Sequence, residues 1–162
     1  MNSNECAKRN TAIVMPYNPM PKVFIDTSVI FSSLLSNSGA SAKIFKSARS
    51  LDIFISQYVI DEVHDVLKQK APHLLDSFEQ MLRVKDFAIT PAPRKRLVLK
   101  ARKIISDPKD APILAAAISA KVDYLVTLDK KDFINDAKVA ERSGLTIVTP
   151  GQFVKLLKSN SL

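Results

Sequence analysis

The sequence predicts an α/β fold, a three-layer α/β/α domain built around a mostly parallel central sheet. Two observations carry this. Short apolar runs alternate along the chain with segments whose apolar residues recur at helical spacing. The short runs, Val23–Ile25, Ile53–Ile55 and Tyr124–Val126 among them, are apolar on both faces, as strands covered by helices on both sides must be. A length of 162 residues with 46% hydrophobic residues suits one domain with a sizeable core.

Residues 1–21 read as an N-terminal tail, with Asn, Ser and prolines and no sustained periodicity, so the domain is expected over 22–158. Val23–Ile25 is the first strand, and Asp26 ends it. Ala42 to Ser50 reads as a helix and Ile53–Ile55 as the second strand. Ser56 can cap the next helix, in which Val59, Val63, Val66 and Leu67 share a face as far as Lys70. Pro72 breaks that pattern, and Leu74, Leu75, Phe78, Met81 and Leu82 define another amphipathic helix. Phe87–Ile89 is a strand closed by Pro91 and Pro93, followed by a helical stripe of Leu97, Val98, Ala101, Ile104 and Ile105. Proline is tolerated only in a helix's first turn, so Pro112 forces the helix running to Ala120 to begin close to Asp110. Tyr124–Thr127 is a strand with Asp129 just beyond it. Phe133 to Ser143 reads as a helix with Gly144 as its C-terminal cap, and Leu145–Val148 as the last strand. Thr149-Pro150-Gly151-Gln152 has the form of a capping box opening a final helix to about Lys158.

The net charge of +8 favours an anionic partner such as nucleic acid. A single cysteine, Cys6, excludes a disulfide framework within the chain and suits a reducing, cytoplasmic setting. No apolar run approaches the ~20 residues of a membrane span, and the N-terminus lacks the apolar stretch of a signal peptide.

The informative residues are acids. In a parallel sheet, ligands bind beyond the carboxyl ends of the strands. Asp26 and Asp129 both follow strands and should meet at that edge. Asp110 opens a helix, and helices following strand-end loops begin near the same edge. Glu62 precedes Val63 and so borders the apolar face of its helix. Each has an ordinary alternative. Asp26 or Asp110 could cap a helix, Asp129 could start a turn, and Glu62, flanked by Asp61 and Asp65, could be a solvated charge. Together they are costly, since each carboxylate pair at 4 Å repels by about 4 kcal/mol at an effective dielectric of 20. Such a cluster needs protons or a metal, and an all-oxygen donor set suits Mg²⁺ or Mn²⁺.

Phe24-Ile25-Asp26-Thr27-Ser28, Asp61-Glu62-Val63, Asp107-Pro108-Lys109-Asp110-Ala111-Pro112-Ile113-Leu114 and Thr127-Leu128-Asp129 with Phe133 beyond occur in a telling order. With them the chain from about Lys22 to Leu157 resembles the PIN domains, the fold of the VapC-type toxin ribonucleases. The resemblance implies that Asp26, Glu62, Asp110 and Asp129 are the catalytic, metal-ligating acids for Mg²⁺ or Mn²⁺. It implies that Ser28 and Thr127 are accessory hydroxyls, bonding a carboxylate or a metal-held water. Some relatives carry Asn in place of Asp129 and an Asp just before the Phe, matching Asp132; Asp129 is preferred here because it stands nearer the strand end. Asp107 reads as a turn or proline-linked cap.

The activity implied is hydrolysis of RNA phosphodiesters by a metal-activated water, as the toxin of a toxin–antitoxin pair. An RNA-processing nuclease without an antitoxin is the second reading. A non-catalytic RNA-binding module is the third, and it predicts missing acids, whereas all four are present. The run Arg94–Lys103 holds Arg94, Lys95, Arg96, Lys100, Arg102 and Lys103 without an acid. On a helix Arg96, Lys100 and Lys103 share one face, either contacting RNA phosphates or simply solvated. Relatives often form homodimers, for which the Leu74–Leu82 helix offers an apolar face.

Overall fold

A computed structural model describes residues 20–159; Cys6 and all but the end of the expected tail lie outside the described residues. Five strands, β1 (Lys22–Ile25), β2 (Asp52–Ser56), β3 (Phe87–Thr90), β4 (Tyr124–Val126) and β5 (Thr146–Val148), form one sheet in the order β3-β2-β1-β4-β5. Every pairing is parallel, and β1 meets β4 with Ile25 opposite Val126. Val23, Phe24 and Ile25 are fully buried, which is the reason this strand carries no polar alternation.

Helices cover both faces, giving the expected three-layer α/β/α arrangement. They are α1 (Thr27–Leu35), α2 (Ala40–Lys46), α3 (Gln57–Lys70), α4 (Leu75–Val84), α5 (Lys95–Ala101), α6 (Ala111–Ala120), α7 (Ala137–Ser143) and α8 (Pro150–Ser159). The caps follow the sequence. Ser56 accepts from the Val59 amide at 3.3 Å, and Gln152 accepts from the Thr149 amide at 2.8 Å in the capping box of α8. Gly144 takes φ 71°, the left-handed conformation expected at a C-terminal cap. On the face between α3 and α4, His64 Nε2 lies 3.1 Å from Glu79 Oε1 and its ring stands edge-on to Phe78.

The structure departs from the sequence reading at several elements. Helix α1 was not anticipated. The helix expected over Ala42–Ser50 is α2 followed by a 3₁₀ turn at Ala48–Ser50. The helix expected from Phe133 starts at Ala137, because Asp136 caps it by accepting from the Lys138 amide at 3.0 Å; Lys130–Ile134 forms a separate wide turn. Among the described residues no helix is long and apolar enough to cross a membrane.

The strand order singles out one edge of the sheet. Chain order runs outward from β1 through β2 and β3 on one side, then returns to β4 and β5 on the other. The carboxyl ends of β1 and β4 therefore flank the point where the winding reverses, where such sheets bind ligands.

Candidate functional site

Asp26 leaves the end of β1 at this reversal, its amide bonded to the Val126 carbonyl of β4 at 3.1 Å. It stands at the N-cap position of α1, yet its side chain makes no capping bond. The carboxylate is instead buried and held from two sides. Ser28 Oγ and Thr127 Oγ1 each donate to Asp26 Oδ2 at 2.7 Å. Burial pushes the Asp26 carboxyl above its usual range. The hydroxyls of Ser28 and Thr127 and the Thr27 amide oppose that shift, and the nearby Asp129 adds to it.

Thr127 joins two acids. While its hydroxyl donates to Asp26, it accepts from the Asp129 amide at 3.0 Å. Ser28 Oγ likewise accepts from the Leu128 amide at 3.1 Å, so both hydroxyls tie β1's end to β4's. Asp129 Oδ1 in turn accepts from the Asp132 amide at 3.0 Å.

Glu62 arrives from α3, half-buried, while its neighbours Asp61 and Asp65 are exposed. Thr27 Oγ1 donates to Glu62 Oε2 at 2.5 Å. Burial raises the Glu62 carboxyl, the Thr27 bond lowers it, and Asp26 raises it again. Asp110 opens α6 without a capping bond from its side chain. Its carboxyl is pushed up to about 7, first by burial and then by Asp129, Asp26, Asp107 and Asp132. The simple capping reading therefore accounts for neither Asp26 nor Asp110. All four sequence-selected acids stand in one electrostatic neighbourhood.

Two further acids join them. Asp107 accepts from the Lys109 amide at 2.8 Å, the turn role its sequence suggests. It also offers an oxygen that, with one each from Asp110 and Asp132, forms a set lying within 4.8 Å of one another. Asp132 is buried, and its Oδ1 has no hydrogen-bond partner. A buried carboxylate oxygen left unpaired among like charges fits a cation, and an all-oxygen set fits a hard divalent one. Sequence reasoning weighed Asp132 only as a substitute for Asp129, gave Asp107 to the turn, and assigned Thr27 nothing. The repeated spacing in Asp107-x-x-Asp110 and Asp129-x-x-Asp132 was the available signal for the extra acids.

Tyr58 completes this edge, its hydroxyl donating to the Lys109 carbonyl at 3.3 Å. Its phenol is raised by burial and then by Glu62, Asp110 and Asp107. Arg96, Lys100 and Lys103 are all exposed. Only the first two lie in α5, because the chain tightens after Ala101, where the Lys103 amide bonds to the Lys100 carbonyl at 3.0 Å. From there it leads directly into the Asp107–Asp110 turn.

The PIN domain model matches residues 22–131, a stretch containing Asp26, Glu62, Asp107, Asp110 and Asp129. The chain belongs to the PIN domain family. Solved structures share its fold at low identity. DNA-bound VapBC from Salmonella typhimurium superposes with a TM-score of 0.60 at 17% identity, covering 81% of this chain and 99% of that one. PAE2754 from Pyrobaculum aerophilum gives a TM-score of 0.58 at 15% identity, covering 86% and 91%. VapC20 from Mycobacterium tuberculosis, a Sarcin-Ricin loop cleaving toxin, gives 0.50 at 16% identity, covering 67% and 91%. No curated protein sequence matches the chain.

Proposed function

We propose that this PIN domain is a Mg²⁺- or Mn²⁺-dependent ribonuclease and the toxin of a toxin–antitoxin pair. One observation carries the reading. Carboxylates from four separate segments converge at the sheet's winding reversal, with Asp110 raised to about 7 and Asp132 Oδ1 buried without a partner. Such an arrangement is unstable without protons or a cation.

Asp26, Glu62, Asp110 and Asp129 would hold the cation, with Asp132 and Asp107 on the Asp110 side. A bound divalent ion would supply Lewis-acid polarisation of the phosphate and of an attacking water. The protein's own part is to keep its ligands ionised and aimed. Ser28 and Thr127 donate to the same oxygen of Asp26, which favours the charged form and fixes its rotamer. Thr27 does the same for Glu62. Arg96, Lys100 and Lys103 would receive backbone phosphates and screen RNA from the acids.

The antitoxin partner is supported by the shared fold with a structure described as VapBC. A homodimer through α4 is supported by Leu75, Met81 and Leu82 on that helix and Leu74 just before it, all only partly buried. The test is cleavage of a labelled RNA oligonucleotide by purified protein in Mg²⁺, Mn²⁺ or EDTA, beside Asp110→Asn prepared identically. Metal-dependent cleavage that Asp110→Asn lacks is the expected outcome. Equal cleavage by both proteins would reveal a contaminant and remove the assignment.

A further inference from the structure

Carboxylates that hold a cation address the phosphate. A nucleotide also carries a base, whose flat faces carboxylates do not stack on. The same edge of the protein holds a surface suited to it.

Among the described Phe and Tyr residues, Tyr58 is the exposed one, at 39% exposure. It lies one turn before Glu62 on α3, and residues so spaced share a helix face. Its hydroxyl bond to the Lys109 carbonyl ties it to the turn carrying Asp107 and Asp110. The ring is thus fixed between the two segments that bring Glu62 and Asp110 to the site, with part of its surface in water. Leu128, 41% exposed, adds a second apolar side chain at this edge, from the segment between Thr127 and Asp129. A partly solvated ring stands here beside carboxylates. It suits a flat, apolar partner, and the partner that arrives with a phosphate attached is a nucleobase.

We propose that Tyr58 is a substrate-binding residue on whose ring a base of single-stranded RNA stacks beside the phosphodiester to be cut, with Leu128 offering further apolar surface at the same sheet edge. The proposal rests on the ribonuclease reading above. Stacking tolerates any base, so Tyr58 contributes affinity and strand positioning rather than a sequence code. A paired base keeps its own neighbours and gains nothing from the ring, so unpaired RNA is favoured over duplex.

The test uses a labelled single-stranded RNA and an abasic phosphodiester chain of the same length. Binding is followed by fluorescence anisotropy in Ca²⁺ and cleavage kinetics in Mn²⁺, for wild type, Tyr58→Ala, Tyr58→Leu and Tyr58→Phe. Tyr58→Ala and Tyr58→Leu should weaken RNA binding and raise KM by about tenfold or more, with kcat changed by less than about threefold. Neither should alter binding of the abasic chain, and Tyr58→Phe should restore most of the affinity. Tyr58→Leu keeps the bulk, so a folding defect confined to the alanine variant does not decide the matter. Three results overturn the proposal: unchanged RNA binding in Tyr58→Leu, equal losses on the abasic chain, or a loss in Tyr58→Phe matching that in Tyr58→Leu. The last would reduce Tyr58 to a tether for the Lys109 carbonyl. If wild type binds RNA but never cuts it, the ribonuclease reading fails while the anisotropy comparison still decides the role of Tyr58.

Discussion

Replacing Asp110 with Asn should make the metal-free protein more stable at pH 8. The carboxyl's ordinary value of 3.8 rises to about 7 in the fold, so between those values the native state holds a proton that the unfolded chain has lost. Stability therefore falls as pH rises through that window, and the full cost is present above pH 7. A shift from 3.8 to about 7 corresponds to roughly 4 kcal/mol unscreened. Asp110 is only half-buried, and solvent screening brings this to about 2 kcal/mol. The side chain makes no capping bond, so asparagine forfeits none. Urea unfolding in EDTA should show Asp110→Asn more stable by about 2 kcal/mol at pH 8 and by under about 1 kcal/mol at pH 5. On the proposed reading the cation binds only the folded cluster, so saturating Mg²⁺ should stabilise wild type and narrow the gap. A variant less stable than wild type at pH 8, or an advantage that grows on acidification, would refute the reasoning.

Two further variants test the same geometry. Thr127→Val keeps the side chain's shape but removes both the donor to Asp26 and the acceptor for the Asp129 amide, and should cost about 1–3 kcal/mol in denaturant unfolding. It should also move the acidic limb of the pH–rate profile upward, because Asp26 loses a bond that favours its charged form. Exchanging Arg96, Lys100 and Lys103 for Gln should weaken RNA binding and flatten its log–log salt dependence by up to roughly 2 units for a single strand; an unchanged slope would mark these residues as merely solvated.

Much of the sheet was legible in the sequence because strands buried on both faces must be apolar throughout. Asp26 and Asp129 were legible for the same reason, as the first acids beyond two such runs. Helix α1 was not, because Ser33 sits on its buried face, donating to the Ile30 carbonyl at 2.7 Å, so a polar residue occupies a core position and interrupts the apolar period. The link from Thr27 to Glu62 joins residues far apart in the chain, and no local pattern marks it. Asp107 shows a further limit. Its turn role was visible and is present, but one oxygen satisfies the turn while the carboxylate still faces Asp110 and Asp132. A local role for an acid does not exhaust what it does once distant segments meet.

The most direct measurement is the RNA cleavage rate of wild type and Asp26→Asn from matched preparations, titrated with Mn²⁺. Asp26 is the buried acid on which Ser28 and Thr127 converge, so asparagine there removes a charge that no neighbour replaces. The expected result is saturable Mn²⁺-dependent cleavage by wild type and a loss of at least about a hundredfold in the variant, with its fold retained. Full Mn²⁺-dependent cleavage by Asp26→Asn would contradict the assignment of this acid cluster as the centre that cuts RNA.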